Sequence, residues 1–366
     1  MKYLRNTKIT LILVLSIILS SCLKEDLQNT PFVSFIPLDT KDDWSIGTPP
    51  EVQIDNEQLT EVYKEIQNDA DLYWQVRSMI VFRNEKLVAE SYFKTEEDRT
   101  VARPVWSCTK QVLGILIGIA IDKGLIASVD EPIGTYLSDE LKNYPDKPNI
   151  TIRHLLTMTS GISFENYGLS GDDAAILQQK PDNLLAFVLE KSMNYNPGEK
   201  FIYKDSDPQI LSAIIEKVTG KKTNIWAEEV LFSKLQIRSI DWITYKDGST
   251  IGAFGIITTP RELAKFGQLV LNKGIYQGVQ IVSANWIKEM TSNHVDASGR
   301  QFGYMWWSYT EKGIHFMSGN GGQFVMVVPE KQLMVVFTAQ DKTQGNFRFS
   351  TPNALYFTEK IASICH

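Results

Sequence analysis

Apolar residues recur at helical spacing in several parts of the chain, beginning with Leu59, Val62 and Ile66. Positions three, four and seven apart share one face of a helix, so this pattern predicts an amphipathic helix. Helical patterns then dominate from residue 107 to about 235, and another follows Pro260, a residue type that favours the first turn of a helix. The middle of the chain is therefore predicted to be mostly helical.

Strand-like patterns lie on both sides of this helical region. Residues 76–93 form two β-rich runs around a polar turn at residues 83–86 and predict a hairpin. From residue 301 onward, four further β-rich runs precede a last helical stretch at 352–364. Together they predict an α/β fold of the α+β kind: one antiparallel sheet built from N- and C-terminal strands, flanked by helices, with a mostly helical inserted subdomain at roughly 107–300.

The first residues of the chain have the order of a signal peptide. Lys2, Arg5 and Lys8 precede the apolar run ITLILVLSIIL, which is too short for a comfortable membrane span. The run ends at Leu-Ser-Ser-Cys, so the segment resembles a bacterial lipoprotein signal that is cleaved before Cys22, whose thiol then carries the lipid. An ordinary secretory signal is the alternative.

These patterns divide the chain into three parts. Residues 1–21 are the predicted lipoprotein signal peptide, residues 22–54 the lipid anchor and tether, and residues 55–366 the folded domain. The tether is inferred because residues 23–50 mix charged residues, proline and glycine without a period. A protein of this kind is expected in the bacterial cell envelope, held on the outer membrane through Cys22 and facing either the periplasm or the cell surface.

Charge and residue types argue against several partners and cofactors. Cleavage of the signal peptide removes three positive charges and no negative ones, which takes the net charge from −6 to −9 and argues against a nucleic-acid partner. Neither His-Glu-x-x-His nor Cys-x-x-Cys occurs, and the four histidines do not lie at ligand spacing, so no metal or other cofactor is implied. Cys108 and Cys365 lie far apart in sequence and predict no disulfide framework.

The motif Ser-x-x-Lys, which can pair a serine nucleophile with an amine, occurs three times. The copy at Ser21 lies in the signal peptide, and the copy at Ser91 lies in a predicted strand, where residues i and i+3 point to opposite faces. At Ser107 the chain enters a stretch that is apolar nearly all round up to Gly124, so Ser107 and Lys110 lie one turn apart at a helix N-terminus. Lys110 is then placed to activate Ser107. A helix-capping serine beside a solvated lysine is the alternative.

The Ser-Cys-Thr-Lys helix start at 107–110 is followed in order by four further segments. They are ITIRHLLTMTSGIS, PGEKFIYKDSDPQILSAIIEKVTG, GAFGIITTPRELAKFGQLVLNKG and GNGGQFVMVVPEKQLMVVFT. Together, the five segments resemble the serine beta-lactamase and penicillin-binding-protein superfamily, in its class C and esterase-like branch. The resemblance covers roughly residues 55–362, and the segments with FGYMWW and GNGGQ are most similar to the aminohexanoate-oligomer hydrolases and related carboxylesterases.

The resemblance implies a role for each matching residue. Ser107 becomes the acylated nucleophile, with Lys110 and Tyr203 sharing the general-base and general-acid work. A tyrosine acts as a base near neutral pH only if cations lower its pKa, and Lys110 would be that cation. The oxyanion hole would combine the backbone N–H groups of Ser107 and Asn320, and Gly319 would let the strand approach the substrate closely.

The chain departs from the family pattern at two positions. Asp205 stands where the family usually has asparagine, and its carboxylate is expected to pair with Lys110 and hold it charged. Met317 stands where penicillin-recognising members carry a lysine or histidine that helps to hold the substrate carboxylate. Arg348 is a candidate for a replacement charge, and a structural or solvated arginine is the alternative.

A group of aromatic residues near these motifs has two interpretations. Trp106, Tyr304, Trp306 and Trp307 either line an apolar acyl pocket, with Trp306 among the substrate-binding residues, or fill the core beside the sheet.

These observations predict a lipid-anchored, cofactor-free serine hydrolase that cleaves a small ester, amide or peptide through a covalent acyl-enzyme on Ser107. A peptidoglycan DD-peptidase and a weak beta-lactamase are the alternatives among enzymes, and Met317 argues against strong activity of either kind. A binding lipoprotein that has lost turnover is the alternative outside enzymes, suggested by Asp205 and Met317. The intact set of Ser107, Lys110 and Tyr203 favours the enzyme.

Overall fold

The computed structural model of the protein describes residues 34–69, 72–166, 173, 177, 182–340 and 349–366. The predicted signal peptide, Cys22 and Arg348 lie outside these residues. Within them, no helix is both long enough and apolar enough to cross a membrane.

The secondary-structure elements of the described residues are numbered in chain order. The strands are β1 (Ser45–Ile46), β2 (Val76–Arg83), β3 (Lys86–Tyr92), β4 (Arg103–Pro104), β5 (Ile240–Trp242), β6 (Ile256–Thr258), β7 (Ile275–Tyr276), β8 (Val279–Gln280), β9 (Val295–Asp296), β10 (Gln301–Phe302), β11 (Trp307–Tyr309), β12 (Ile314–Gly319), β13 (Gln323–Val328) and β14 (Leu333–Ala339). The helices are α1 (Asn56–Asn68), α2 (Cys108–Asp122), α3 (Ile152–Leu156), α4 (Leu184–Leu189), α5 (Ser206–Thr219), α6 (Thr223–Ala227), α7 (Pro260–Leu271), α8 (Ala284–Thr291) and α9 (Thr351–Ser363).

Nine of the described strands form one sheet, in the order β1-β3-β2-β14-β13-β12-β11-β10-β9. Neighbouring strands are antiparallel except β1 and β3, which run parallel. The hairpin β2–β3 joins the C-terminal strands through the β2–β14 pair, in which Arg83 lies opposite Leu333. The prediction of one sheet built from both ends of the chain is confirmed.

Helices cover both faces of this sheet. Gly267 of α7 lies against Val325 and Val327 of β13, so closely that a Cβ atom on the glycine would lie 2.5 Å from the first of them. Phe324 alternates with these valines and faces the other side, where its ring lies 6.1 Å from that of Phe349, just before α9. Helix α9 also contacts α1. The predicted fold class, a sheet flanked by helices, is confirmed.

Helix α2 runs through the interior of the domain. Every residue from Cys108 to Ala120 is buried, as expected for a helix that is apolar all round. Gly114 and Gly118 allow close packing, because Cβ atoms there would lie 2.9 Å from the Tyr304 carbonyl oxygen and 2.1 Å from the Trp286 ring. Helix α2 also contacts β12 and α5. Its start therefore lies where the sheet meets the helical insertion.

The insertion contains short strands that the sequence did not predict. Strands β4, β6 and β5 form a small antiparallel sheet in that order, and β7 and β8 form a hairpin. None of them exceeds three residues, so none shows enough of the period-two alternation that identifies a strand. Just after β4, the Val105 N–H donates to the Ile256 carbonyl oxygen at 3.0 Å and fixes the segment that leads into α2.

The chain packs against the large sheet before the predicted start of the domain at residue 55. Phe35 and Trp44 are buried, and β1 extends the sheet by pairing with β3. Arg261 of α7 holds this segment through an ion pair with Asp42 at 2.6 Å. The expected tether therefore does not reach residue 54, and the described residues from 34 onward belong to the folded unit. The apolar residues of the segment 34–54 are too sparse to show a helix or strand period in the sequence.

Candidate active site

Ser107 lies at a strained turn directly before α2. Trp106 has a φ of 51°, a left-handed conformation that costs a residue other than glycine on the order of 1–3 kcal/mol. Ser107 is the N-cap residue of α2, yet its side chain makes no capping hydrogen bond. Its hydroxyl oxygen instead accepts a hydrogen bond from Lys110 Nζ at 3.0 Å. The interpretation of Ser107 as a simple helix cap is therefore wrong.

The other described copy of Ser-x-x-Lys lacks this geometry. Ser91 lies in β3 and its hydroxyl donates to the Ser34 carbonyl oxygen at 3.0 Å, whereas Lys94 lies over the ring of Trp74. The prediction that this copy lies in a strand is confirmed. The copy at Ser21 lies outside the described residues.

Lys110 is fully buried, and its ammonium group has several polar partners. Nζ forms an ion pair with Asp205 at 2.7 Å and donates to the Ala253 carbonyl oxygen at 2.9 Å, in addition to its contact with Ser107. Burial is the largest single effect and lowers the pKa of Lys110, but Asp205 and Tyr203 together outweigh it, so the pKa of Lys110 is raised. The ion pair predicted from the sequence is present, and it keeps Lys110 charged near neutral pH.

Tyr203 contacts both members of the Ser107–Lys110 pair. Its hydroxyl interacts with the Ser107 hydroxyl and with Lys110, whose Nζ lies 5.1 Å from the centre of the tyrosine ring. Burial raises the pKa of Tyr203, and the Lys110 charge and the Ser107 hydrogen bond oppose burial only in part. The resting site near neutral pH therefore holds a neutral tyrosine beside a charged lysine.

Asp205 is positioned by contacts around the start of α5. It is the N-cap residue of that helix, but its side chain pairs with the buried lysine and makes no capping bond. Its backbone N–H donates to Asn166 Oδ1 at 3.0 Å. The next turn is fixed by the buried Asp207, which accepts hydrogen bonds from the hydroxyls of Ser160 at 2.8 Å and Ser206 at 3.0 Å. No pattern in the sequence indicated these supporting residues.

An open cavity of about 330 Å³ lies beside Ser107. Its lining residues are Ser107, Phe201, Tyr203, Ala297, Ser298, Arg300, Trp307, Ser318, Gly319 and Asn320. The structure thus brings Gly319 and Asn320, at the end of β12, next to the predicted nucleophile. A Cβ atom at Gly319 would lie 2.1 Å from the Val105 carbonyl oxygen, so only glycine lets β12 come this close to the segment before Ser107.

Trp306, predicted among the substrate-binding residues, does not line the cavity. It is fully buried in the core, where its indole N–H donates to the Gln111 carbonyl oxygen at 3.2 Å. The next residue, Trp307, lines the cavity instead, and its ring lies 5.6 Å from that of Tyr203. Successive residues of extended backbone point to opposite sides, so only one of the two tryptophans faces the site. Tyr304 is buried in the core as well.

Five of the lining residues were not predicted from the sequence: Phe201, Ala297, Ser298, Arg300 and Ser318. Phe201 lies two residues before Tyr203, and Ser318 alternates with the fully buried Met317 on β12, so strand alternation could have identified both. Arg300 follows the dipeptide Ser-Gly, a signal for a tight turn, but nothing in its neighbourhood indicated a site.

Neither described cysteine lines this cavity. Cys108 and Cys365 are free thiols, and burial raises the pKa of both. In the part of the chain that the structure describes, no three histidine, cysteine or carboxylate side chains gather in a way that could hold a metal ion. Ser107, the predicted nucleophile, does line the cavity.

Comparison with known proteins agrees with this geometry. The model of the beta-lactamase family matches residues 76–356 of the chain. The chain is 26% identical over 302 residues to an uncharacterised protein of Alkalihalophilus pseudofirmus. This match covers 71% of the present chain and 82% of the relative. It is 25% identical over 230 residues to the 6-aminohexanoate-dimer hydrolase of Paenarthrobacter ureafaciens. That match covers 58% of this chain and 56% of the hydrolase, so it spans little more than half of the enzyme.

A solved structure shows the same fold. A protein of Bacillus anthracis, provisionally assigned as a 6-aminohexanoate-dimer hydrolase, superposes with a TM-score of 0.70 at 22% identity. The superposition covers 82% of this chain and 81% of that one. At this identity the likeness concerns the fold alone.

Proposed function

The chain belongs to the beta-lactamase family, a family of serine hydrolases, and from this premise we propose that it cleaves a small ester or amide through a covalent acyl-enzyme on Ser107. The observation that carries the proposal is the 3.0 Å contact between Lys110 Nζ and Ser107 Oγ at the wall of an open cavity. The similarity to a 6-aminohexanoate-dimer hydrolase supports hydrolysis as the reaction.

In the proposed first step, Ser107 Oγ attacks the carbonyl carbon of the substrate while its proton passes to the phenolate oxygen of Tyr203. Tyr203 is the base because Asp205 holds Lys110 as an ammonium ion, which has no lone pair to accept a proton. The Lys110 charge stabilises the phenolate. Because burial raises the pKa of Tyr203, the phenolate fraction is small at neutral pH and grows as the pH rises.

The remaining steps restore the starting protonation state of Ser107 and Tyr203. The first tetrahedral intermediate collapses, the alcohol or amine leaves with the proton from Tyr203, and the acyl group stays on Ser107 Oγ. Water then attacks the acyl carbon and gives a proton to the Tyr203 phenolate. When the second intermediate collapses, the bond to Oγ breaks, the carboxylic acid leaves, and Tyr203 returns the proton to Ser107.

The proposal places the carbonyl oxygen of the substrate between the backbone N–H groups of Ser107 and Asn320, both of which border the cavity. The start of the 15-residue helix α2 favours the negative charge that develops on this oxygen. Removal of one such donor typically raises a reaction barrier by about 3 kcal/mol. Gly319 supports the arrangement, because it allows the two segments to touch.

A small ester or amide fits the site better than a penicillin-type substrate. Met317, which stands where penicillin-recognising members carry a cation, is fully buried and contributes nothing to the cavity. Stable labelling by a fluorescent penicillin would favour a DD-peptidase, and turnover of nitrocefin would favour a beta-lactamase. A binding protein without turnover is disfavoured, because the three groups required for acylation are in contact.

Hydrolysis of a short-chain 4-nitrophenyl ester tests the proposal. The wild-type protein should release nitrophenolate, and Ser107→Ala should abolish the release. Ser91→Ala is the matched control, because Ser91 belongs to the other described Ser-x-x-Lys motif and lies in a strand. It should retain the activity. Turnover that persists in Ser107→Ala would contradict the assignment of the nucleophile, and no turnover by the wild type would support the binding protein.

We also propose that the protein is anchored in the bacterial cell envelope by lipid on Cys22. The support is the sequence order of basic residues, apolar run and Leu-Ser-Ser-Cys. Metabolic labelling with an alkyne fatty acid should mark the wild type and leave Cys22→Ala unmarked. Equal labelling of both would refute the anchor.

A further inference from the structure

Arg300 carries the only charge among the side chains that line the cavity in the described part of the chain. It follows a tight turn between β9 and β10, in which the backbone N–H of Ala297 donates to the Arg300 carbonyl oxygen at 2.7 Å and the reverse bond measures 3.3 Å. Ser298 and Gly299, the two residues between them, have φ angles of 51° and 85°. A turn whose two central residues both have positive φ is of the type that matches the twist of the two strands in a hairpin. The backbone at Arg300 is therefore well defined.

Trp307 holds the Arg300 side chain at the cavity. The guanidinium carbon lies 4.2 Å from the centre of the Trp307 ring, and that ring in turn contacts Tyr203. A guanidinium stacked on an aromatic face keeps its N–H donors at its edge, where they remain able to bind an acceptor. The same tryptophan thus connects the cation with the base of the proposed reaction.

The described residues offer Arg300 no carboxylate partner. Its guanidinium lies over the Trp307 ring and near enough to Tyr309 to interact with it electrostatically. It takes part in none of the ion pairs that other arginines form, such as that of Arg153 with Asp130 at 2.7 Å. Met317 is buried away from the cavity and supplies no cation there. A charge without an internal partner, fixed at the wall of a substrate cavity, is typical of a ligand-binding group.

We propose that Arg300 binds a carboxylate on the substrate, so that the preferred substrate is an ester or amide that carries a negative charge away from the bond that breaks. This inference rests on the proposed hydrolysis through Ser107. Arg300 offers this cation from the β9–β10 hairpin, which is a different element from β12, where Met317 stands. It is a specificity-determining residue, and it takes no part in the transfer of protons.

Two pairs of esters test the proposal, each consisting of an acid and its own methyl ester. The first pair, mono-4-nitrophenyl adipate and methyl 4-nitrophenyl adipate, places the charge on the acyl side. The second pair, 4-acetoxybenzoate and its methyl ester, places the charge on the leaving group. The measured quantity is the ratio of kcat/KM for the acid to kcat/KM for the methyl ester, which cancels any general loss of active protein.

The proteins compared are the wild type, Arg300→Met, Arg300→Lys and a control, Lys123→Met. Lys123 is exposed at the far end of α2, about 24 Å from Ser107 along the helix axis. In at least one pair, Arg300→Met should lower the ratio about tenfold or more, chiefly through KM for the acid. Arg300→Lys should restore part of the ratio, and Lys123→Met should leave it unchanged. The wild-type ratio should also fall as sodium chloride is added, a test that needs no variant.

The outcomes separate this inference from the proposed function. Suppose that the wild type hydrolyses the esters in a Ser107-dependent manner, but that its ratios equal those of Arg300→Met within twofold in both pairs. Arg300 then does not bind the substrate, whereas the proposed hydrolase function stands. Wild-type ratios that are insensitive to salt would overturn the inference as well. If no ester is hydrolysed by the wild type, the proposed function fails and this inference fails with it.

Discussion

Replacement of Asp205 by alanine removes the carboxylate that faces the buried ammonium group of Lys110. The two side chains are 8% and 0% exposed and their charged atoms lie 2.7 Å apart, so water screens the pair very little. Removal of one partner from a buried ion pair costs about 3–5 kcal/mol, because the other charge stays buried without compensation. Lys110 keeps hydrogen bonds to Ser107 and Ala253. We therefore expect the free energy of unfolding to fall by about 3 kcal/mol at neutral pH.

The pH dependence of this loss has a definite sign. In the wild type the folded pKa of Lys110 is raised, so its stabilising contribution is present below the unfolded value of about 10.4 and is lost as the pH rises through the folded pKa. In Asp205→Ala the strongest influence that raises the pKa is gone, so burial prevails over the remaining effect of Tyr203 and lowers the folded pKa of Lys110. The variant should therefore gain stability as the pH rises toward the unfolded value. The difference between the two proteins should shrink between neutral pH and pH of about 10.

Denaturant-induced unfolding at two pH values measures this difference. Asp139→Ala is the matched control, because Asp139 pairs with Lys142 at a similar distance of 2.8 Å but both side chains are more than 70% exposed, at 73% and 72%. Loss of that pair should cost less than about 1 kcal/mol. If Asp205→Ala loses no more stability than this control, or if its loss is the same at both pH values, the buried pair does not hold Lys110 charged.

Three further predictions concern catalysis. Burial, and to a smaller extent the Asp205 charge, raise the pKa of Tyr203, so kcat/KM for a nitrophenyl ester should rise above neutral pH. Asp205→Asn should move this rising limb to lower pH, and an unchanged limb would show that the Asp205 charge does not contribute to it. Gly319→Ala should lower kcat by about a hundredfold or more in steady-state kinetics, because the added Cβ atom would push β12 away from Ser107. Full activity of this variant would refute the proposed oxyanion site. Trp306→Phe should lower the free energy of unfolding by about 1–3 kcal/mol and leave KM unchanged, because Trp306 is buried in the core. Trp307→Phe should raise KM, because Trp307 lines the cavity. The reverse pattern would show that Trp306, and not Trp307, contacts the substrate.

Long, periodic elements could be predicted from the sequence because their pattern repeats over many residues. The hairpin β2–β3 and the buried helix α2 are of this kind. The contact between Ser107 and Lys110 is also local, since both residues lie on one helical turn. The ion pair of Lys110 with Asp205 joins distant parts of the chain, and only the departure from the family pattern indicated it.

Other features depend on tertiary packing that no local pattern records. Trp306 and Trp307 are adjacent, and a shift of one residue decides which of them faces the cavity. The segment before residue 55 is irregular by itself and is held by Arg261, which lies more than two hundred residues further along the chain. Arg300 reaches the cavity only because a two-residue turn brings it back over the ring of Trp307.

Covalent labelling with a fluorophosphonate, followed by mass spectrometry of the digested protein, tests the role of Ser107 most directly. The account predicts one adduct on the peptide that contains Ser107, at the start of α2, and no adduct in Ser107→Ala. An adduct on a different serine, or labelling that persists in Ser107→Ala, would contradict it.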